Sequence, residues 1–328
     1  MAHSVVRYLQ DTHHPERLDI LCAPSVASLV ARLPGVDAVQ LLHTRHGQWG
    51  WRQRLASART LRREHYDWAL TLPNSWKSAL APALAGIPRR TGYVGEMRYG
   101  LLNDIRHLDR TALPRMVDRY LALAVSRDAP RPQAPEPRIT THAASARACL
   151  TKLGIGLIPA PILALCPGAE YGPAKRWPAA HFAEIAQTAL ARGWQVWLLG
   201  GPADRDVACA INSYTGDACQ NLAGRTRLDE VLDLLSLASA VVTNDSGLMH
   251  IAAALERPVV ALFGSSDPGH TPPLSHKARA LSLQLACSPC FKRKCPLGHL
   301  RCLNALTPAT ASKALSSLVP ELWSSDQT

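Results

Sequence analysis

Residues Ala240 to Gly264 read AVVTNDSGLMHIAAALERPVVALFG, and this stretch decides the fold. A short β-branched run, Ala240 to Thr243, breaks at Asn244-Asp245-Ser246-Gly247. Leu248, Ile251, Ala252 and Leu255 then recur at helical spacing, and Pro258 opens a second β-rich run ending at Gly264. Strand, helix and strand so closely linked predict a βαβ unit of a parallel sheet. The polar residues cluster at the end of the first strand and the start of the helix. Backbone N–H groups lack intrahelical partners there and the helix dipole favours an anion, so the loop is suited to a phosphate.

The same rhythm continues outward in both directions. Towards the amino end the spacing predicts a helix over 143–153, a strand over 162–166, a helix from Pro178 to Gly193, a strand over 194–199 and a helix over 228–238; beyond the opening stretch it predicts a strand over 278–285 and a closing helix over 308–318. The first half gives a helix at 2–10, strands at 18–22, 38–42 and 68–72, helices at 26–32, 49–63, 78–85 and 114–124, and a turn at Pro88 to Gly92. Asp128 to Arg138, part of the proline-rich RDAPRPQAPEPR, reads as a linker. Two βα-rich halves predict two Rossmann-like domains, 1–138 and 139–328, with a ligand cleft between them.

Composition agrees with that size. A 328-residue chain with 47% hydrophobic residues can fill two cores. No apolar run approaches the roughly 20 residues that span a bilayer, and MAHSVVRYLQDTHHPERLD is too polar for a signal peptide, so the expected compartment is the cytoplasm. The net charge of +11 lies mostly in residues 1–140, where every Lys or Arg position except Lys77 is Arg. Between Asp37 and Glu64 no acid interrupts Arg45, Arg52, Arg54, Arg59, Arg62 and Arg63. Two readings stay open: an Arg bias on a solvated face, or a face for a polyanion. Nucleic acid is disfavoured, since no known binding signature occurs.

In the second half three loops fall at predicted strand ends: PGAEYGPAKRWP at 167–178, GGPAD at 200–204 and NDSG at 244–247. Strand ends of a doubly wound sheet share one rim, so the loops converge. Lys175 then offers a cation to a diphosphate, and Ser246 and Gly247 offer N–H groups. The competing readings are a solvated Lys175-Arg176 pair, an N-cap for Asp245 and a packed core histidine for His250. Neither GxGxxG with its acid nor GxxxxGK[ST] occurs. Cys287, Cys290, Cys295 and Cys302 form C-x2-C-x4-C-x6-C among basic residues. Free thiols on a loop, a zinc site and a disulfide are the alternatives. The five scattered cysteines, Cys22, Cys149, Cys166, Cys209 and Cys219, read as buried thiols.

Several of these segments carry a resemblance. TNDSGLMHIAAALERPVVALFGSSDPGHTPPLS, PGAEYGPAKRWP, LPNSWKSAL, GIPRRTGYVGEMRYGLLND and CSPCFKRKCPLGHLRC resemble bacterial ADP-heptose:lipopolysaccharide heptosyltransferases, in order along nearly the whole chain. The resemblance implies a GT-B fold: two Rossmann-like domains facing across a cleft, the donor in the second, the acceptor on the first, and a closing helix that often packs back on the first. It implies inverting transfer of L-glycero-D-manno-heptose from ADP-heptose to the first heptose of Kdo2-lipid A, by a cytoplasmic enzyme peripheral to the inner membrane of a Gram-negative bacterium. Donor residues carried over are Gly168, Glu170, Lys175, Gly201, Arg225, Thr226, Asp245, Ser246, Gly247, Met249 and His250. Acceptor contacts are Asn74, Lys77 and Arg98. No cofactor is implied, and a divalent ion or zinc is left open.

Members of that family open with a strand, a glycine-containing loop and an aspartate, the expected general base, ahead of the helix that here starts at Met1. The expectation is therefore a first sheet lacking one strand, with Glu96 or Asp104 as substitute bases, or alternatively a truncated binding protein for ADP-heptose or anionic lipopolysaccharide. Translating the DNA upstream of Met1 separates the two: an in-frame strand and Gly-Asp loop fits the enzyme, and a stop codon the binding protein.

Overall fold

The computed structural model describes residues 1–44, 49–127, 129–156 and 159–323, so Arg45 and Asp128 lie outside it. The chain divides into two compact units, Met1–Pro137 and Arg138–Thr328.

The second unit is built on six parallel strands: β6 (Ile162–Cys166), β7 (Gln195–Leu198), β8 (Gln220–Asn221), β9 (Ala240–Asn244), β10 (Val259–Leu262) and β11 (Ala278–Leu281), in the order β11-β10-β9-β6-β7-β8. In the first unit come α1 (Ala2–His13), α2 (Ala27–Val30), α3 (Trp51–Arg63), α4 (Leu80–Ala85) and α5 (Met116–Leu121); in the second α6 (Ala143–Leu153), α7 (Ala179–Ala191), α8 (Arg205–Tyr214), α9 (Leu228–Ser236), α10 (Gly247–Ala254), α11 (Arg301–Asn304), α12 (Pro308–Leu318) and α13 (Pro320–Trp323). Strands β6, β9 and β10 are buried along their whole length. Helices on both faces leave no side of such a strand for water, which is why the runs are apolar without alternation. Trp177, Phe182, Trp194 and Trp323 fill one core cluster with them. The closing helices α12 and α13 lie within this unit: α12 packs on α7, β10 and β11, and the Trp323 ring meets Trp194 edge-on at 5.4 Å.

The first unit has two separate sheets. β1 (Asp19–Cys22) pairs with β2 (Ala38–Leu41), and β3 (Trp68–Thr71), β4 (Arg89–Tyr93) and β5 (Asp104–Arg106) form the other, all parallel. Among the described residues no strand joins β1 to β3. Side chains link the two: Arg17 bonds both Asp19 and Glu64, Tyr66 donates to Asp19, and Leu21 of β1 and Ala69 of β3 pack against one apolar cluster. A cavity of about 450 Å3 lies between β1–β2 and α3.

The predicted turn at Pro88 to Gly92 is wrong, because those residues begin β4, the middle strand of its sheet. Arginines are tolerated there because each guanidinium reaches a partner. Arg90 donates to the carbonyls of Leu101 and Ile87, at 2.7 and 2.5 Å, and Arg89 lies 4.1 Å over the Trp68 ring. Thr91, fully buried, takes the Trp68 indole N–H at 2.8 Å and donates to Asp104 at 2.9 Å.

Asp104 is the electrostatic knot of this sheet. Arg106 donates to it at 2.9 Å, and Arg89 and Arg127 each lie 3.4 Å away. Burial alone would raise its pKa, but the bonds from Arg106, Thr91 and Arg89 outweigh that and hold the carboxyl well below the usual range. A carboxylate so occupied is unfit as a substitute base. Glu96 is also engaged: it caps the turn at residues 76–79 by accepting from the Trp76 N–H at 2.7 Å. Because the folded pKa of Asp104 is depressed, its stabilisation is complete at neutral pH and fades as the pH falls below the ordinary aspartate value of roughly 3.9. Asp104→Asn is expected to cost about 1–3 kcal/mol in urea unfolding at pH 7, with a smaller gap at pH 3. An equal gap at both pH values would mean that charge is not the cause.

Candidate functional site

The chain runs from β6 outward to β7 and β8, then returns to β9 and leaves on the other side through β10 and β11. β6 and β9 therefore flank the point where the winding reverses, the position at which open α/β sheets leave a crevice for a ligand. The loop after β6 carries Lys175, and the residue after β9 is Asp245.

Asn244 locks these two ends together. It is fully buried; its amide N–H donates to the Pro167 carbonyl at 2.7 Å, and its amide oxygen accepts from the Trp177 N–H at 3.1 Å. A carboxamide carries its donor and its acceptor on separate atoms, so one short side chain serves both backbone groups. The Trp177 indole in turn donates to the Leu306 carbonyl at 2.7 Å, fixing the far end of the Lys175 loop to the core.

Held this way, Lys175 donates to Asp245, and Ser266, from the loop after β10, donates to the same carboxylate oxygen at 2.5 Å. Asp245 is 6% and the Lys175 side chain 17% exposed, so the pair meets at a nearly dry place with one open side. The ammonium also lies 5.0 Å from the Tyr171 ring. Asp245 is not the N-cap of α10; Ser246 holds that position, without a side-chain bond to the helix. The first-turn N–H groups of α10 thus have no side-chain cap, and nothing stands within 4 Å of where a Gly247 side chain would begin.

The other loops gather around Asp204. Its carboxylate accepts from the Gly201 N–H at 2.9 Å and stands 2.3 Å from where a Cβ on Gly168 would be. The Gly224 N–H donates to the Gly200 carbonyl at 2.9 Å, which brings in the loop after β8. On that loop Arg225 is exposed and donates to the Asn221 carbonyl at 3.2 Å, whereas the Thr226 hydroxyl is buried with no partner among the described residues. Glu170 is exposed. Met249 is sealed in the core, so it supports α10 by packing. Burial pushes the His250 pKa down to about 4, leaving a neutral imidazole. Sequence reasoning missed Asn244, Asp204 and Ser266. An asparagine at the end of a β-branched run was the readable signal for the first.

In the first unit Asn74 is exposed, and the Lys77 carbonyl accepts from Arg54 at 2.6 Å. Arg98 is not a surface contact. It is fully buried and spends its guanidinium on Tyr93, on the Pro73 carbonyl at 2.7 Å and on Ser78 at 3.3 Å, bracing the loop that carries Asn74. The basic helix α3 divides similarly. Arg54 and Arg62 reach carbonyls of neighbouring segments, while Arg52, Arg59 and Arg63 stay exposed. All nine cysteines are free thiols; Cys149, Cys166 and Cys219 are buried, but Cys22 only partly, and Cys209 is exposed.

Two parallel-sheet units, the second with a cation and a carboxylate meeting at its reversal point, fit a glycosyltransferase of GT-B type, and comparison with known proteins gives that class. Residues 54–301 match glycosyltransferase family 9 (heptosyltransferase), and the chain belongs to that family. It is 41% identical to lipopolysaccharide heptosyltransferase 2 of Escherichia coli K12, over 97% of this chain and 94% of that protein. It is 40% identical to lipooligosaccharide heptosyltransferase 2 of Haemophilus influenzae, over 86% and 84%. The solved structure of E. coli ADP-heptose lipopolysaccharide heptosyltransferase II superposes with a TM-score of 0.84 at 39% identity, covering 98% of this chain and 94% of that one. The Veillonella parvula glycosyltransferase family 9 structure shares the fold, with a TM-score of 0.85 at 19% identity.

Asn244→Ala strands a buried N–H and a buried carbonyl and is expected to cost about 2–4 kcal/mol in chemical unfolding. Gly168→Ala forces its Cβ onto Asp204 and should cost about 1–3 kcal/mol. Gly247→Ala, which meets nothing, should stay within about 0.5 kcal/mol of the parent. Equal stability of all three variants would refute this account of the loops.

Proposed function

We propose that the chain transfers L-glycero-D-manno-heptose, with inversion, from ADP-heptose to the first heptose of Kdo2-lipid A in the lipopolysaccharide inner core. The observation that carries this reading is the Lys175–Asp245 pair at the reversal point of the second sheet, beside the uncapped start of α10. The relatives named for lipopolysaccharide heptosyltransferase 2 support the reaction class. In this reading residues 139–328 hold the donor and residues 1–138 the acceptor.

A lysine ammonium has three N–H donors, so Lys175 can keep Asp245 and still donate to a phosphate oxygen. As the glycosidic C–O bond breaks, negative charge grows on the departing diphosphate. Lys175 and the N–H groups of Ser246 and Gly247 are placed to receive it without reorganising. Asp245 has its Oδ2 filled by Lys175 and Ser266, while its Oδ1 accepts no bond among the described residues and is available to a sugar hydroxyl. Gly168 and Gly201 let loops approach the diphosphate closely, and Arg225 and Thr226 flank the nucleoside. The Thr226 hydroxyl, buried without a partner among the described residues, suits a ribose or base atom. Neutral His250 and buried Met249 back the phosphate loop. Asn74 and Lys77 contact the acceptor, and Arg98 shapes their loop from beneath.

The exposed Arg52, Arg59 and Arg63 offer a basic face to the anionic acceptor and to the inner-membrane surface, where the protein works from the cytoplasm as a peripheral enzyme. Among the described residues no helix is long and apolar enough to cross a membrane.

Lys175→Ala is expected to lower kcat/KM for ADP-heptose by about 10²–10³, mainly through kcat. Asp245→Asn should raise the donor KM and leave the acceptor KM near the parent value. Steady-state kinetics with varied donor and acceptor measure both, and near-parental constants for the two variants would remove the pair from the site.

A further inference from the structure

Residues 282–300 contain no helix or strand, and beyond Leu285, which packs partly buried against the core, their large apolar side chains contribute little: Phe291 is 51% and Leu297 60% exposed. A segment of this kind has little hydrophobic burial to hold it. It nevertheless lies on the loop carrying Lys175 and on the loop carrying Ser266. The Ala174 N–H donates to the Arg293 carbonyl at 3.1 Å, the N–H groups of Cys290 and Phe291 donate to the Ser265 carbonyl at 3.1 and 2.7 Å, and the Tyr171 hydroxyl donates to the Phe291 carbonyl at 2.7 Å. Ser288 donates to the Gly264 carbonyl at 2.5 Å, and a Cβ on Gly172 would stand 2.6 Å from the Arg293 carbonyl. The segment is fitted to the site, so something must hold the segment.

Cys287, Cys290, Cys295 and Cys302 all line one cavity of about 20 Å3, together with Ala174 and Ser265 of the site loops. That volume suits a single small ion or one water and is far too small for an organic ligand. Four thiols around it are a donor set for a tetrahedral soft-to-borderline cation. Lys292, Arg293 and Lys294 flank the cluster, and their charge balances the dianion that four thiolates leave around a divalent ion. His299 lines the same cavity, but its Nδ1 already accepts from the Arg301 N–H at 3.0 Å. Among the described residues no three of these side chains stand as a finished cage. Closing one needs the thiols to turn towards the cavity they already line.

We propose that Cys287, Cys290, Cys295 and Cys302 bind one zinc ion, and that this ion fastens residues 287–302 to the loops carrying Lys175 and Ser266. Binding releases the thiol protons to solvent and involves no change of oxidation state. The metal site stands independently of the donor assignment; only its effect on donor affinity rests on that reading.

The full chain, purified with reductant and without chelator, should contain about one equivalent of zinc by plasma mass spectrometry. After the metal is stripped, added Co2+ should give a sulfur-to-cobalt charge-transfer band in the near ultraviolet and intense tetrahedral d–d bands, both abolished by zinc. Cys287→Ser and Cys290→Ser should lose these bands, whereas Cys209→Ser and His299→Ala should keep them. Circular dichroism checks that each variant is folded. Less than a tenth of an equivalent of zinc together with no cobalt band in the reduced wild type overturns the proposal, as does a band that survives in folded Cys290→Ser. One equivalent of iron in place of zinc overturns the choice of ion. ADP affinity of the stripped chain is read separately: unchanged affinity with zinc bound in the parent rejects the link to the Lys175 loop and leaves the metal site standing.

Discussion

The carboxamide of Asn244 is the constraint on which the second unit's site depends. It closes strand β9 and ties both ends of the stretch between Pro167 and Trp177, so the loop bearing Lys175 has its path set by one side chain with no solvent around it. A loop pinned at both ends can hold a charged side chain at a fixed distance from the next strand. That is the condition under which a cation contributes to a transition state without first being ordered. Ser266 and Asp204 do the same service for Asp245 and for the glycine loops, each through a single short bond.

Charge in this chain is used in two ways that composition alone cannot separate. Many first-unit arginines face inward, as Arg54, Arg90 and Arg98 do, and there they replace missing secondary-structure bonds by reaching carbonyls several residues away. Others, Arg52, Arg59 and Arg63 among them, remain in water. The large positive net charge therefore overstates the basic face open to solvent, because part of it is structural.

The second unit was readable almost throughout. Its strands are covered on both faces and so give unbroken apolar runs, and its helices open or close at proline and glycine, as at Pro178 and Gly154. That the loops of Lys175 and Asp245 converge was legible because strand ends of a parallel sheet share a rim; that the two side chains pair was not. The first unit was harder to read. β4 spells Arg-Arg-Thr-Gly-Tyr, which resembles a turn because its burial is supplied by side chains from Trp68, Leu102 and Arg98 rather than by its own apolar residues. Arg98 looked like a ligand contact for the same reason: sequence reports a guanidinium, not which way it points. Asn244 was overlooked because a polar residue closing a strand is usually taken for the first residue of a loop.

The division of the first unit into two sheets also bears on how it moves. The pair β1–β2 shares no ladder with β3–β4–β5 among the described residues, and what links their entrances is the partly exposed group of Arg17, Asp19, Glu64 and Tyr66. Cooperative opening follows backbone ladders and shared packing, and here only the second joins the sheets: Leu21 of β1 and Ala69 of β3 pack against one apolar cluster of Ala58, Leu61, Ala81 and Ala85 on α3 and α4. Opening of β1–β2 therefore uncovers a cluster that β3 also packs on, and exchange of the amide protons of Asp19 to Cys22 and Ala38 to Leu41 reports on packing that both sheets share.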